Sequence, residues 1–138
     1  MVRTATANWQ GNLKEGKGTL STQSGILDKT NYSFKTRFEE GQKGTNPEEL
    51  MAASHAGCFT MSVASIIEKK GLIPTSLETT ATLTLEGLSL TAIHLSITGS
   101  VKGLNDVEFA AVVKEAAQNC IISKALKVGI TSEAHFTA

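Results

Sequence analysis

The stretch from Asn46 to Gly71, Asn-Pro-Glu-Glu-Leu-Met-Ala-Ala-Ser-His-Ala-Gly-Cys-Phe-Thr-Met-Ser-Val-Ala-Ser-Ile-Ile-Glu-Lys-Lys-Gly, constrains this chain more than any other. Its ends are marked as helix ends. Asn46 can accept a hydrogen bond from the first turn, and Pro47 suits a position where no backbone N–H is needed. Glu49 follows Asn46 by three residues, as in a capping box, and Glu48 and Glu49 favour the positive end of the helix dipole. At the other end Lys69 and Lys70 favour the dipole, Gly71 can take a left-handed conformation, and Pro74 prevents continuation. Between Glu49 and Glu68 there is no acid or base except His55. Apolar residues lie all round this helix, so it should be buried on most sides. A membrane span is the rival reading; Ser54, His55, Thr60, Ser62, Ser65 and the small residues between them weaken it. A buried helix with Cys58 at its centre is the feature that needs a reason.

At 138 residues the chain is expected to form one domain, 1–138, long enough to bury a core. Residues 2 to 9 read as a strand, Gln10 to Gly18 as a turn and Lys17 to Thr22 as a second strand. Asn31 to Phe38, with Tyr32, Phe34 and Phe38 alternating, reads as a third strand or extended segment. After Pro74, Leu77, Thr79, Ala81, Leu83 and Leu85 alternate against polar residues. Gly87 then permits a turn, and Ile93, Leu95 and Ile97 alternate in a second strand, giving an antiparallel hairpin. Asn105 caps a second helix whose apolar face is Phe109, Val112, Val113, Ala116 and Cys120. Ser123 to Val128 reads as a short helix and Thr131 to Thr137 as a last strand. The fold class is α+β with antiparallel sheet.

Thirteen basic and thirteen acidic side chains cancel, which argues against nucleic acid or an anionic membrane surface as the main partner. The first residues show no apolar signal-peptide core, so the expected compartment is the cytoplasm. The two cysteines, Cys58 and Cys120, form no Cys-x-x-Cys pair. In a reducing compartment they are expected to be free, metal-bound or redox-active rather than a structural disulfide.

The plainest reading of each cysteine is a small hydrophobe on an apolar helix. Their shared placement on inward faces of the two main helices, and the small polar surroundings of Cys58 (Ser54, His55, Ser62), count against that reading for the pair. Zinc shared by His55, Cys58 and Cys120 lacks an evident fourth ligand. His55 reads as a hydrogen-bonded core or interface residue. Redox chemistry is the third option: one thiolate attacks a peroxide to give a sulfenic acid, and a second thiol condenses with it.

The residues Gly44-Thr45-Asn46-Pro47-Glu48-Glu49-Leu50-Met51-Ala52-Ala53-Ser54-His55-Ala56-Gly57-Cys58-Phe59, preceded by Thr36-Arg37-Phe38-Glu39 and resumed at Asn119-Cys120 and Ser123-Lys124-Ala125-Leu126, resemble the OsmC/Ohr family of thiol-dependent peroxidases, the OsmC branch more closely. The resemblance runs over almost the whole chain. It implies an OsmC-like α+β fold with antiparallel sheets and a long buried central helix, assembled as an intertwined homodimer. It further implies that Cys58 is the peroxide-reacting thiol, Cys120 the resolving thiol, Arg37 the cation that holds thiolate and peroxide, and Glu48 the acid paired with Arg37. No cofactor is implied beyond an external dithiol reductant; the substrates implied are organic hydroperoxides, with hydrogen peroxide as a further candidate. Ile121 departs from the family pattern, in which proline often follows the second cysteine.

Physical chemistry fits those roles. Burial alone makes a cysteine inert, whereas a guanidinium supplies a permanent charge and a fork of donors. Apolar walls, with Phe38, Phe59 and Met61 as candidates, favour organic hydroperoxides. Glu48 precedes Cys58 by ten residues, about 15 Å along a straight helix. Either the helix bends near Ala53 or one site draws on two subunits, and the apolar helix favours the dimer. The competing hypothesis is a non-enzymatic dimer that binds a small apolar ligand or senses redox state.

Overall fold

A computed structural model describes residues 1–137. Among these residues six strands and four helices form two compact units, residues 1–50 and 51–137. In the first unit β1 (Ala5–Gln10), β2 (Lys17–Thr22) and β3 (Thr30–Tyr32) make an antiparallel meander in that order. The strand expected over 31–38 is overturned after Tyr32, where α1 (Phe34–Phe38) begins. Ser33 starts it with a full capping box: its Oγ accepts the Thr36 N–H at 3.2 Å, and Thr36 Oγ1 accepts the Ser33 N–H at 2.8 Å. Phe34 and Phe38, which alternation placed on one strand face, are also one helical turn apart, with ring centroids 4.8 Å apart.

Helix α2 runs from Pro47 to Lys69, as its end signals predict. Asn46 Oδ1 accepts the Glu49 N–H at 2.7 Å, but the Glu49 carboxylate accepts from Thr45 Oγ1 at 2.8 Å, so the capping box is replaced by a neighbouring bond. At the far end Gly71 has φ of 78°, Gly71 N–H reaches Glu68 O at 2.9 Å, and Leu72 N–H reaches Ile67 O at 3.3 Å. This pair of bonds is a Schellman motif, and it needs the positive φ that glycine takes without strain. Burial along α2 is narrower than expected. His55, Phe59, Val63, Ile66 and Ile67 form one buried stripe, while Met61 is 75% exposed. By length and composition alone α2 is apolar enough to cross a bilayer, yet its stripe belongs to the protein core.

The second unit's sheet has β4 (Pro74–Glu86), β5 (Ser89–Val101) and β6 (Gly129–Phe136), with β5 central. β4 and β5 are the predicted antiparallel hairpin. β6 instead lies parallel to β5, which corrects the wholly antiparallel expectation. Alternation gives the face a residue occupies and not the direction of its strand. A parallel pair needs a long crossover, and α3 (Asp106–Asn119) with α4 (Ile121–Ala125) supplies it. Asn105 Oδ1 caps α3 through the Glu108 N–H at 2.8 Å. α4 lies two residues earlier than the helix expected from Ser123. Ile93, Leu95 and Ile97 of β5, the predicted face of α3, and the α2 stripe make one core.

Gly99 on β5 marks its tightest point. A Cβ there would stand 2.4 Å from Phe109 Cζ and 3.0 Å from Leu77 Cδ2. The Phe109 ring is fully buried and has no room to withdraw. Gly99→Ala should therefore destabilise the protein by about 1–3 kcal/mol, as overpacking does. A urea denaturation midpoint equal to wild type would show that the core absorbs the methyl group.

Candidate active site

The two cysteines come together in the second unit. Cys58 is half-buried on α2, and Cys120 is 1% exposed. Cys120 stands where α3 ends and α4 begins, at φ −61° and ψ 123°, an extended backbone that separates the two helices. Both thiols line one open cavity of about 820 Å³, together with Ser54, Met61, Ser62 and Asn119. Cys58 is among the groups that act on the Cys120 thiol. Both cysteines are free thiols.

Opposing effects act on the Cys120 thiol. Burial pushes its pKa up. Hydrogen bonds from the Ser123 backbone and hydroxyl, from Cys58 and from the Ile122 backbone pull it down, and they prevail, leaving the thiol below its ordinary range. No side-chain capping bond closes at this helix start.

His55 lies behind the pair. It is fully buried, and its Nε2 stands 2.6 Å from Ser123 Oγ. Burial lowers its pKa below the ordinary imidazole value, so the ring is neutral near pH 7. Nδ1 is buried with no hydrogen-bond partner among the described residues. An orphaned N–H costs more than an orphaned acceptor, so the proton sits on Nε2 and is donated to Ser123. The reading of His55 as a hydrogen-bonded core residue thus gains a named partner. Ser123 was missed as a site residue, although a signal was present: His55 precedes Cys58 by three residues, and Ser123 follows Cys120 by three.

Arg37 and Glu48 form a second pair, in the first unit. Arg37 Nε and Nη2 donate to the same oxygen, Glu48 Oε1, at 2.7 and 2.6 Å, and Glu48 Oε2 is buried without a partner. The Arg37 side chain is 44% exposed and its guanidinium carbon lies 5.3 Å from the Phe38 ring centroid. Trp9, Leu13, Tyr32, Phe34 and Phe38 line an apolar groove of about 260 Å³ beside it. Of the expected apolar walls, Phe38 borders this groove and Met61 the cysteine cavity. Phe59 does not fit that role, being a core residue with no exposed surface. Among the described residues, no group of three or more His, Cys, Asp or Glu side chains converges as a metal site would.

The site defines an α+β protein with two free thiols lining one cavity beside its central helix, and similarity narrows the class. Residues 40–135 match the family model for OsmC-like proteins. The chain is 43% identical over 129 residues to the peroxiredoxin OsmC of Escherichia coli K12, covering 91% of this chain and 90% of the relative. It is 28% identical over 112 residues to the organic hydroperoxide resistance protein OhrB of Bacillus subtilis, covering 80% and 82% of the two chains. The crystal structure of that OhrB superposes with a TM-score of 0.67 over 97% of this chain and 98% of that one, at 23% identity. An OsmC-like protein from Vibrio cholerae superposes with a TM-score of 0.74 over 97% and 99%, at 17% identity. The chain belongs to the OsmC family.

The buried neutral histidine has a consequence in pH. The unfolded chain takes up a proton at this residue below about pH 6.5, whereas the folded chain resists until its lower pKa is reached. Stability from His55 is therefore complete above pH 6.5 and is lost as pH falls, by at most about 1.4 kcal/mol per unit. Urea denaturation between pH 5 and 7 should show wild-type stability falling with acid more steeply than that of His55→Gln. Parallel curves would mean that His55 is protonated inside the fold.

Proposed function

We propose that this protein is a thiol peroxidase that reduces organic hydroperoxides through Cys58 and Cys120. The observation that carries the reading is the placement of the two free thiols in one cavity. The 43% identity to a protein named peroxiredoxin and the match to one named for organic hydroperoxide resistance support it.

The Cys58 thiolate attacks the terminal peroxide oxygen. A sulfur–oxygen bond forms, the oxygen–oxygen bond breaks, and the alkoxide leaves as alcohol after taking a proton. The Cys120 sulfur then attacks the sulfenic sulfur, a disulfide forms and water leaves. An external dithiol returns both cysteines to thiols and is itself oxidised to a disulfide.

Arg37 has the role of steadying the Cys58 thiolate and the peroxide oxygen, with Glu48 fixing the guanidinium. The apolar groove beside Arg37 suits an organic substituent better than hydrogen peroxide. Because α2 is one unbroken helix from Pro47 to Lys69, a homodimer in which Arg37 and Glu48 of one subunit serve Cys58 of the other is preferred over a bend near Ala53. The exposed apolar side of α2, with Met61, gives such a partner a surface to cover.

Steady-state reduction of an organic hydroperoxide with a dithiol should be abolished by Cys58→Ser. Arg37→Met should lower the second-order rate at least tenfold, about 1.4 kcal/mol, and Arg37→Lys should recover only part. Turnover by Cys58→Ser, or no turnover by wild type, overturns the assignment. A separate test concerns Cys120→Ser, whose Cys58 should still oxidise once and then advance to the sulfinic form as peroxide is added. Intact-mass measurement that finds wild type and Cys120→Ser equally prone to over-oxidation would remove Cys120 from the reaction.

A further inference from the structure

We propose that His55 and Ser123 are a positioning pair for the second thiol: the His55 Nε2–H holds the Ser123 hydroxyl so that its proton points at Cys120 Sγ, and the same bond ties together the two segments that carry the cysteines. The proposal rests on the two-thiol reading above and adds two residues to it.

Register carries the first part. His55 lies one turn before Cys58 on α2, and Ser123 lies three residues after Cys120 on α4. A single bond of 2.6 Å between buried side chains therefore fixes both cysteine-bearing segments close to the sulfurs themselves. Proton bookkeeping carries the second part. A hydroxyl has one proton to give. If Ser123 gave it to His55, the ring would carry its own proton on Nδ1, which has no partner. With the proton on Nε2, Ser123 accepts from His55, and its own O–H is free for the sulfur of Cys120, which stands three residues earlier at the start of the same short helix. His55 remains neutral and transfers no proton.

The step this serves is disulfide closure. The Cys120 sulfur must shed its proton before it attacks. As the sulfur–sulfur bond forms, the sulfur–oxygen bond of the Cys58 sulfenic acid breaks, and the departing hydroxide takes up the equivalent of that proton as water. A hydroxyl donor at Sγ favours the thiolate without placing a charge in the core. The titratable groups that line the cavity with Cys120 are Cys58, Lys69 and Glu115, and His55 stands behind it on α2.

The experiment follows closure after one equivalent of organic hydroperoxide, quenched and read by mass as sulfenic acid against the 58–120 disulfide. In Ser123→Ala and His55→Leu the ratio of closure to first oxidation should fall at least tenfold. The pH midpoint of closure should rise by about one unit, the shift a tenfold loss of thiolate at fixed pH corresponds to. Ser123→Thr, which keeps the hydroxyl, and His55→Gln, which keeps an N–H donor, should recover most of the ratio. Closure in Ser123→Ala at the wild-type ratio and pH midpoint overturns the proposal, as does equal loss in the conservative variants, which would make the contact packing alone. If His55→Leu does not fold, Ser123→Ala, which removes one oxygen, decides. A wild type that oxidises but never closes overturns the two-cysteine reading and this proposal with it, whereas normal closure in every variant overturns this proposal alone.

Discussion

The structure of the second unit depends on the burial of one stripe of α2. Phe59, Val63 and Ile67 have no exposed surface, and they share a core with Ile93, Leu95 and Ile97 of β5 and with Phe109, Val112 and Val113 of α3. Each such side chain contributes roughly 1.5–3 kcal/mol when removed from water. The stripe also fixes rotation about the helix axis. With His55 and Phe59 turned inward, Cys58 stands at the edge of the stripe, half-buried and facing the cavity. A one-residue shift in the apolar pattern would bury the thiol completely or turn it to solvent. Site geometry here is a by-product of core packing, which a loop-borne cysteine could not match in precision.

Polar groups within this core are handled locally. Thr60 Oγ1 donates to Ala56 O at 2.7 Å and stands 2.6 Å from Thr79 Oγ1. His55 is satisfied through Ser123 at one nitrogen only. The Cys120 thiol is lowered by neutral donors, amides and hydroxyls, that stabilise a thiolate without importing a charge into a buried place. Arg37, by contrast, is a permanent charge kept partly in water, with Glu48 as its counter-ion. A charge of that kind suits the opening step of a peroxidase, in which negative charge passes from sulfur to a departing oxygen. Neutral donors suit the closing step, in which a transient thiolate at Cys120 is held without a second, permanent charge in the core.

How much of this was legible in the sequence follows from how local each signal is. The limits of α2 were readable because Asn46, Pro47 and Gly71 act on backbone groups within one turn of themselves. The β4–β5 hairpin was readable because alternation over thirteen residues per strand reports burial directly. α1 was not, because Phe34 and Phe38 satisfy a period of two and a separation of four alike, and Ser33 and Thr36 decide between them through two short bonds. The parallel sense of β6 was hidden, since strand direction is set by the α3–α4 crossover and leaves no mark on β6 itself. The candidate site divides the same way. Cys58, Cys120, Arg37 and Glu48 were nameable from a long motif. Ser123 was not, because its role depends on a fold contact between residues far apart in the chain.

The mismatch between composition and burial along α2 has a physical resolution. A helix apolar on all sides is expected where every side is covered, yet one chain covers only the stripe from His55 to Ile67. Lipid could cover the rest, and the length of the helix allows it. The side chains on the uncovered side argue otherwise. Ser54, Ser62 and Ser65 share the cavity lining with Cys58 and Met61, and Ser62 Oγ donates to Ala116 O of α3 at 3.4 Å, so this side is already turned toward protein. Small residues such as Gly57 and Ser54 instead allow another protein surface to approach closely, and a mixed small, polar and apolar face is what the buried part of a protein interface looks like. A second copy of the chain, as proposed above, meets both demands. Such a copy would remove Met61 and its neighbours from water, and it would enclose the open cavity in which the two thiols lie.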